Sequence, residues 1–564
     1  MICGPELPEK AMTTAPSEMA AKGTVAADRL HDVVVRGGTI YDGSGETPFV
    51  GDLAIIGDRI TYVGPPQPIR AKRLIDARGK AVSPGFINML SQAQESLLHD
   101  GRGSSDLYQG VTTEVTGEGT SMGPLTDEMA HRDEERQGSL KYPVSWRTLG
   151  EYLETLQARG ISPNIASFVG ASTVRDYVLG ERDIQPDAMQ LDRMCSLVRQ
   201  AMAEGALGVS AALIYVPGAF ASTRELQRLA AEAARHGGIY IAHMRSEGDQ
   251  LLEAVDETIA IARVSGAPAE IYHLKMAGRS NWPKLDSLIA KVEAARASGL
   301  RITANLYPYT AGATGLDASM PLWVQSGGLE SWIARMRDPA VRTRLIAEMQ
   351  SPPPGFESAL AQAGAEGTRL LAFKSPQLKA FEGRTLADIA RMRGESPEAT
   401  AISLVIEDGS RVGVAYSVIS EDNLRRQIAL PWVSFCSDEE AVAPDPASIN
   451  RWHHPRACGS FARILGRYVR DEKLITLQEA IRKLAALPAC NLSLRYRGML
   501  KVDYFADVVV FDSNAIQDHA TFERPQQLAT GVEYVLVNGG FALDEGKATG
   551  RPTGRAIRGP GWKG

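Results

Sequence analysis

The sequence predicts an α/β fold. The expected form is a (β/α)8 TIM-like barrel with a small β-sandwich domain formed from both chain ends and an insertion over the barrel mouth. Three observations carry this. Apolar runs that end on a polar residue recur between helical stretches. Strand–Gly-Gly–strand hairpins sit near both ends of the chain. A long middle segment breaks the strand–helix rhythm.

The first residues, 1–30, are rich in Pro, Ala, Ser, Thr, Glu and Lys and have no apolar signal-like run, so a disordered leader is expected there. Next, DVVVRGGTIYDGSGETPFVGDLAIIGDRITYVG alternates β-branched runs with Gly-Gly, Asp-Gly and Gly-Asp turns, the pattern of short strands. YVLVNGGFALDEG near the C-terminus repeats the hairpin, and ADVVVF adds a strand. Isolated hairpins are marginal, so the two ends are expected to join in one β-domain, residues 31–83 plus 496–564.

Residues 84–495 form the predicted barrel. GGIYIAHMR ends an apolar run at His243, AEIYHLK at His273, RITANLYPY at Tyr307 and Tyr309, and PWVSFCSDEE at Asp438. Helical stretches intervene, and strands alternating with helices give a parallel sheet. Polar residues at the C-terminal ends of barrel strands are where active sites lie. Residues 312–420 are too long for a βα loop and carry their own helical patterns, so they read as an insertion or lid.

Bulk properties narrow the function. The chain has 564 residues, 44% of them hydrophobic, enough for a large core. A net charge of -6, from 61 basic and 67 acidic residues well mixed, argues against a nucleic-acid or polybasic membrane surface. No apolar run is long enough to span a bilayer. Five scattered cysteines without a CxxC pair fit a reducing, cytoplasmic setting with no disulfide framework. Oligomeric state is left open, with a homo-oligomer allowed.

The pieces VVVRGGTIYDGSG, SPGFI, QGVTTEVTGEG, GALGVSAALIYVPGAFAST, YIAHMRSEGD, YHLKMAG, LYPYTAGATGL, FCSDEEAVAPD, HHPRACGSFARILGRYVRDE and YFADVVVFD follow one another from Val33 to about Val537. In this order they resemble the amidohydrolase superfamily, and within it the N-acyl-D-amino-acid deacylases (D-aminoacylases). The resemblance implies a (β/α)8 barrel with a β-sandwich made from both chain ends.

It also implies site residues. The family's first-strand HxH metal motif falls on Leu90 and Gln92, within PGFINMLSQ; Leu cannot ligate and Gln is a poor zinc ligand. Glu118, between two glycines, takes the place of a family cysteine ligand; by itself it reads as a surface glutamate in a glycine turn. His243 and His273 match two family ligand positions. Two imidazoles and a carboxylate leave one coordination position open, as at catalytic zinc, so one divalent metal ion is expected, with Zn2+ the natural choice. Asp438 matches the last-strand aspartate that exchanges a proton with water and the leaving amine; its other reading is a helix cap. Lys275, Tyr215, Tyr307 and Arg245 fall at substrate-contact positions. The family's serine after TAG is Ala313, and the acid between Arg245 and Glu247 is Ser246. Trp452-His453-His454-Pro455-Arg456 reads as mouth lining, and Cys436 as a buried core thiol.

The expected function is hydrolysis of the amide C–N bond of an N-acyl amino acid or similar small-molecule amide. The alternatives are a hydrolase of a cyclic amide, carbamate, ester or natural-product amide, and a metal-free ligand-binding protein.

Overall fold

The structure is a computed structural model, and it describes residues 29–138, 140–442 and 452–564. Apart from Arg29 and Leu30, the segment expected to be a leader lies outside the described residues.

Eight parallel strands form the barrel: Phe86–Asn88, Val111–Thr116, Asn164–Ser167, Gly208–Ala212, Ile239–His243, Ala269–Ile271, Ile302–Leu306 and Val433–Phe435. Each pairs in parallel with its neighbour in chain order; the third is extended by Val169–Gly170, which meets the fourth. The ring closes between the last and first strands. There Ser437 N donates to Asn88 Oδ1, and Asp438 N donates to the Leu90 carbonyl at 2.8 Å. This closure holds the chain at Asp438 beside the chain at Leu90 and Gln92.

The outer helices are amphipathic for a visible reason. In Thr223–Arg235 the Ser222 side chain caps the N-terminus, and Leu226, Leu229, Ala230 and Ala233 are buried along one face. That spacing turns a stripe toward the strands, and the two glutamates buried with it, Glu225 and Glu232, are paired with Arg175 and Arg199.

The β-domain is one nine-stranded sheet drawn from both ends of the chain. Ala81–Pro84 pairs antiparallel with Val508–Phe511, which joins the two halves. The strand Leu30–Ile40 changes partner along its length, from Arg70–Asp76 to Ala81–Val82. The period-2 alternation of strands decides what each side chain packs on. Val508 and Val510 join Val33, Val35 and Leu53 in the domain's own core, while Val509 and Phe511 pack into the barrel core.

The C-terminal boundary differs from the expectation. Beyond Arg551 the chain leaves the β-domain and runs across the start of the barrel strands. Gly554 N donates to Ile161 O at 2.7 Å, Ile557 N to Ile165 O at 2.7 Å, and Gly559 N to Gly205 O at 2.8 Å. The PTGRAIRGPG segment permits this because a Cβ on Gly554 would lie 1.9 Å from the Pro163 carbonyl oxygen. This tail closes the face opposite the active-site end.

Between the seventh and eighth barrel strands the insertion builds its own small sheet. Gly413–Tyr416 pairs antiparallel with Gly312–Gly315 on one side and Thr368–Ala372 on the other. Helices including Gly328–Met336, Pro339–Gln350 and Pro397–Asp408 pack against it. Its core residues Met320, Trp332 and Val414 share one buried cluster with Leu90, Tyr272 and Tyr307 of the barrel.

Candidate active site and metal centre

Glu118 reaches the barrel mouth from a turn that only glycine permits. Gly117 and Gly119 have φ of 99° and 65°, and a Cβ on Gly119 would lie 2.4 Å from the Ala212 Cβ. His243 is the last residue of the fifth strand. His273 and Asp438 follow the sixth and eighth strands with φ of 32° and 53°. Such left-handed backbone at non-glycine residues is costly and concentrates at functional sites. Here it turns both side chains inward.

The structure brings Glu118, His243 and His273 together. Glu118 Oε1 lies 2.9 Å from His273 Nε2 and 3.2 Å from His243 Nδ1. One potential ligand atom from each lies within 4.8 Å of the other two. The imidazoles meet edge to face, with ring centroids 4.4 Å apart. Burial alone would raise the Glu118 carboxyl, but the two histidines hold it well below the usual carboxylate range. His243 Nε2 is buried without a hydrogen-bond partner. An anionic carboxylate converging with two imidazoles on one buried point is a donor set that fits a divalent cation.

Glu247 stands behind the histidines. It lies 3.0 Å from His273 Nδ1 and 2.6 Å from Lys275 Nζ, while Lys275 Nζ is 2.8 Å from His273 Nδ1. Lys275 therefore sits at the site edge, already paired. Asn305 supports the His273 turn from below: its Oδ1 accepts from His273 N at 2.9 Å, and its Nδ2 donates to Glu270 Oε1 at 2.8 Å.

Asp438 faces this group. Its Oδ2 accepts from Arg456 Nη1 at 2.7 Å, and Arg456 also reaches Glu439 at 3.2 Å. Burial and the nearby Glu118 charge push the Asp438 carboxyl up against the pull of Arg456. Gln92 Nε2 donates to Glu118 Oε2 at 2.8 Å and to Asp438 Oδ1 at 3.3 Å. Leu90 is fully buried in the apolar cluster.

The remaining predicted residues divide. Tyr215 stands edge-on to His243 at 5.3 Å, and its hydroxyl meets Thr314 Oγ1 of the insertion at 2.7 Å. Tyr307 is buried beside His273, under the Arg456 guanidinium at 4.5 Å. Arg245 lines the mouth, but its guanidinium is engaged elsewhere. It pairs with Glu257 at 3.0 Å and donates to the carbonyls of Ala219 and Ala221. This geometry does not offer Arg245 to a substrate. Ser246 donates to Glu357 of the insertion at 2.7 Å. His454 bonds the Ala311 carbonyl at 3.0 Å and accepts from Arg456 N at 3.0 Å, both contacts to backbone. Burial pushes the Cys436 thiol up, which removes it as a nucleophile. A cavity of about 1080 Å3 opens above, lined by Glu118, Tyr215, Lys275, Tyr307, Phe356 and Arg411 among others.

Gln92, Arg456, Glu247 and Asn305 were not among the expected site residues. Gln92 marked the lost HxH position, and Glu247 and Arg456 lay in the HMRSE and HHPR segments, each without an expected role; Asn305 carried no signal.

The family model described as "Amidohydrolase family" matches residues 73–542. The chain belongs to the amidohydrolase family. It is a metal-dependent hydrolase of C–N bonds other than peptide bonds. This amidohydrolase is 31% identical over 534 residues to a D-aminoacylase of Alcaligenes xylosoxydans xylosoxydans, covering 93% of this chain and 97% of that one. It is 30% identical to an N-acyl-D-glutamate deacylase of the same organism, over 93% and 96% of the two chains. Among solved structures, a D-aminoacylase described by its binuclear metal centre, with one-metal activation and second-metal attenuation, superposes with a TM-score of 0.79. The two share 32% identity over 94% of this chain and 100% of that one. The Bordetella bronchiseptica N-acyl-D-glutamate deacylase, complexed with zinc and a phosphonate mimic of the tetrahedral intermediate, gives a TM-score of 0.78 at 28% identity, over 94% and 100%.

Proposed function

We propose that this amidohydrolase deacylates N-acyl amino acids with one divalent cation, zinc by the chemistry of its ligands, at Glu118, His243 and His273. The observation that carries the reading is the convergence of these three side chains on one buried point, with Asp438 facing them across the cavity floor. Bound there, the cation would supply Lewis-acid polarisation of the scissile carbonyl and a lowered pKa for water.

The chain's own residues do the rest. Asp438 takes the proton from the attacking water and hands it to the leaving nitrogen, so the proton count closes as the C–N bond breaks. Arg456 fixes which Asp438 oxygen faces the substrate. The Tyr215 hydroxyl, held by Thr314, lies where it can donate to the developing oxyanion. Lys275, bonded to Glu247 at 2.6 Å, would meet the substrate carboxylate only by sharing or exchanging that partner, and Tyr307 walls that end. The likeness to a D-aminoacylase and an N-acyl-D-glutamate deacylase supports an acylated D-amino acid as substrate. Among the described residues no helix is long and apolar enough to cross a membrane. Cys195, Cys436 and Cys458 are buried free thiols, whereas Cys490 is disulfide-bonded, against the expectation of a chain without disulfides, so the cysteines do not by themselves select a reducing setting.

The test is a panel of N-acyl-D- and L-amino acids read together with metal content. Asp438→Asn is expected to keep the metal and lose roughly 10²–10⁴-fold in kcat; His273→Ala is expected to lose the metal. Full activity in either variant would overturn the reading.

A further inference from the structure

Gln92 occupies a position that the metal-centre reading leaves without a role. Its amide nitrogen lies between two carboxylates, 2.8 Å from Glu118 Oε2 and 3.3 Å from Asp438 Oδ1. An amide nitrogen has two hydrogens and no lone pair for a metal, so it can satisfy both acceptors and ligate nothing. The amide is also oriented from behind, since Gln94 Nε2 donates to Gln92 Oε1 at 3.4 Å, and the Gln92 main chain is tied to the eighth strand through N–H to the Glu439 carbonyl at 2.9 Å.

The two oxygens of Glu118 are therefore divided. Oε1 faces His243 and His273, and Oε2 is taken by Gln92. The two oxygens of Asp438 are divided likewise, between Gln92 and Arg456. A second cation between these carboxylates would need Glu118 Oε2 and Asp438 Oδ1, the atoms Gln92 engages. Leu90, two residues back, is fully buried among apolar side chains and offers no ligand.

We propose that Gln92 is a positioning residue that takes the place of a second cation. Its uncharged amide ties the metal ligand Glu118 to the proton-transfer group Asp438, and restricts the centre to one ion. This rests on the metal site of the preceding reading and adds the reason for its stoichiometry.

Metal per chain decides it, measured by elemental analysis and by calorimetric titration of the metal-stripped protein with zinc alone. The wild type is expected to take up one equivalent. Leu90→His/Gln92→His is expected to take up two, and Gln92→Asn, which keeps the amide, to stay at one. Retained far- and near-ultraviolet circular dichroism checks that the variants fold. A wild type with two equivalents would overturn this inference and leave the deacylase reading standing. A double variant that folds and still binds only one would also overturn it. A wild type that binds none would overturn the metal-centre reading itself, and this inference with it.

Discussion

Arg456 Nη1 donates to Asp438 Oδ2 at 2.7 Å, and both side chains are buried at the floor of the cavity. The pair spans from the eighth strand to the first turn of the helix Arg456–Arg463. Removing one partner of a buried ion pair leaves an uncompensated charge, at a cost of roughly 3–5 kcal/mol. Arg456→Gln is therefore expected to lower unfolding free energy by about that amount in urea titrations. It is also expected to lower kcat by roughly 10–100-fold as Asp438 loses its orientation. Arg456→Lys is expected to recover only part of this, because a single ammonium cannot hold Asp438 and Glu439 in the geometry of a planar guanidinium. Unchanged kcat in Arg456→Gln would mean that Asp438 is oriented by Gln92 and the backbone alone.

Asn305 is expected to matter without touching substrate. It accepts from His273 N and so stabilises the left-handed turn that aims the imidazole. Asn305→Ala is expected to weaken metal affinity roughly 10–100-fold, the usual range for a group that orients a ligand. Competition against a chelator of known affinity measures this. A change below about twofold would assign the turn to the strand alone.

Much of this was legible in the sequence, and the reason is periodicity. Strand-terminal residues such as His243 and Asp438 announce themselves because an apolar run stops at them. Glu118 was legible only through the family resemblance, since a glutamate between two glycines is ordinary loop sequence. Gln92 and Arg456 were not, since their roles depend on where the ring closes. Gln92 meets Asp438 across 346 positions of sequence, at the seam between the first and last strands. No local pattern encodes that distance. Arg245 was misleading for a related reason: its motif position is legible, but its pairing with Glu257 one helix away is a matter of packing.

Glu270 gives a pH prediction. Burial pushes its carboxyl up to about 7, against hydrogen bonds from Asn305, Thr303 and Asn491. A group whose folded pKa is raised binds more protons in the folded state. Its contribution is thus fully present below its ordinary value of 4.5 and is lost as pH rises through about 7. Glu270→Gln removes the titration. The unfolding free energy of wild type relative to this variant is expected to fall by roughly 3 kcal/mol between pH 4.5 and pH 8. Parallel stability–pH curves for the two proteins would place the Glu270 carboxyl near its ordinary range.

The last prediction concerns how the insertion meets the barrel. Glu357 Oε1 accepts from Ser246 Oγ at 2.7 Å and from Gln250 N at 2.8 Å. Ser246 stands where an acid was expected from the family pattern, and here the acid comes instead from the insertion. A carboxylate at both places would repel, so the serine and the glutamate read as one complementary pair. The contact lies at the rim of the cavity, away from the proton-transfer group, so it bears on substrate retention more than on bond cleavage. Ser246→Ala and Glu357→Ala are each expected to raise KM several-fold with kcat little changed, the pattern of lost uniform binding. A hydrogen bond to a charged group contributes roughly 1.5–3 kcal/mol. If both substitutions act by breaking that one bond, the double variant should be hardly worse than Glu357→Ala alone, a coupling of about 1 kcal/mol or more in a double-mutant cycle. Effects that simply multiply would show that the two residues act apart. In that case the insertion is held over the mouth by its shared apolar core, through Met320 and Trp332, rather than by this polar latch.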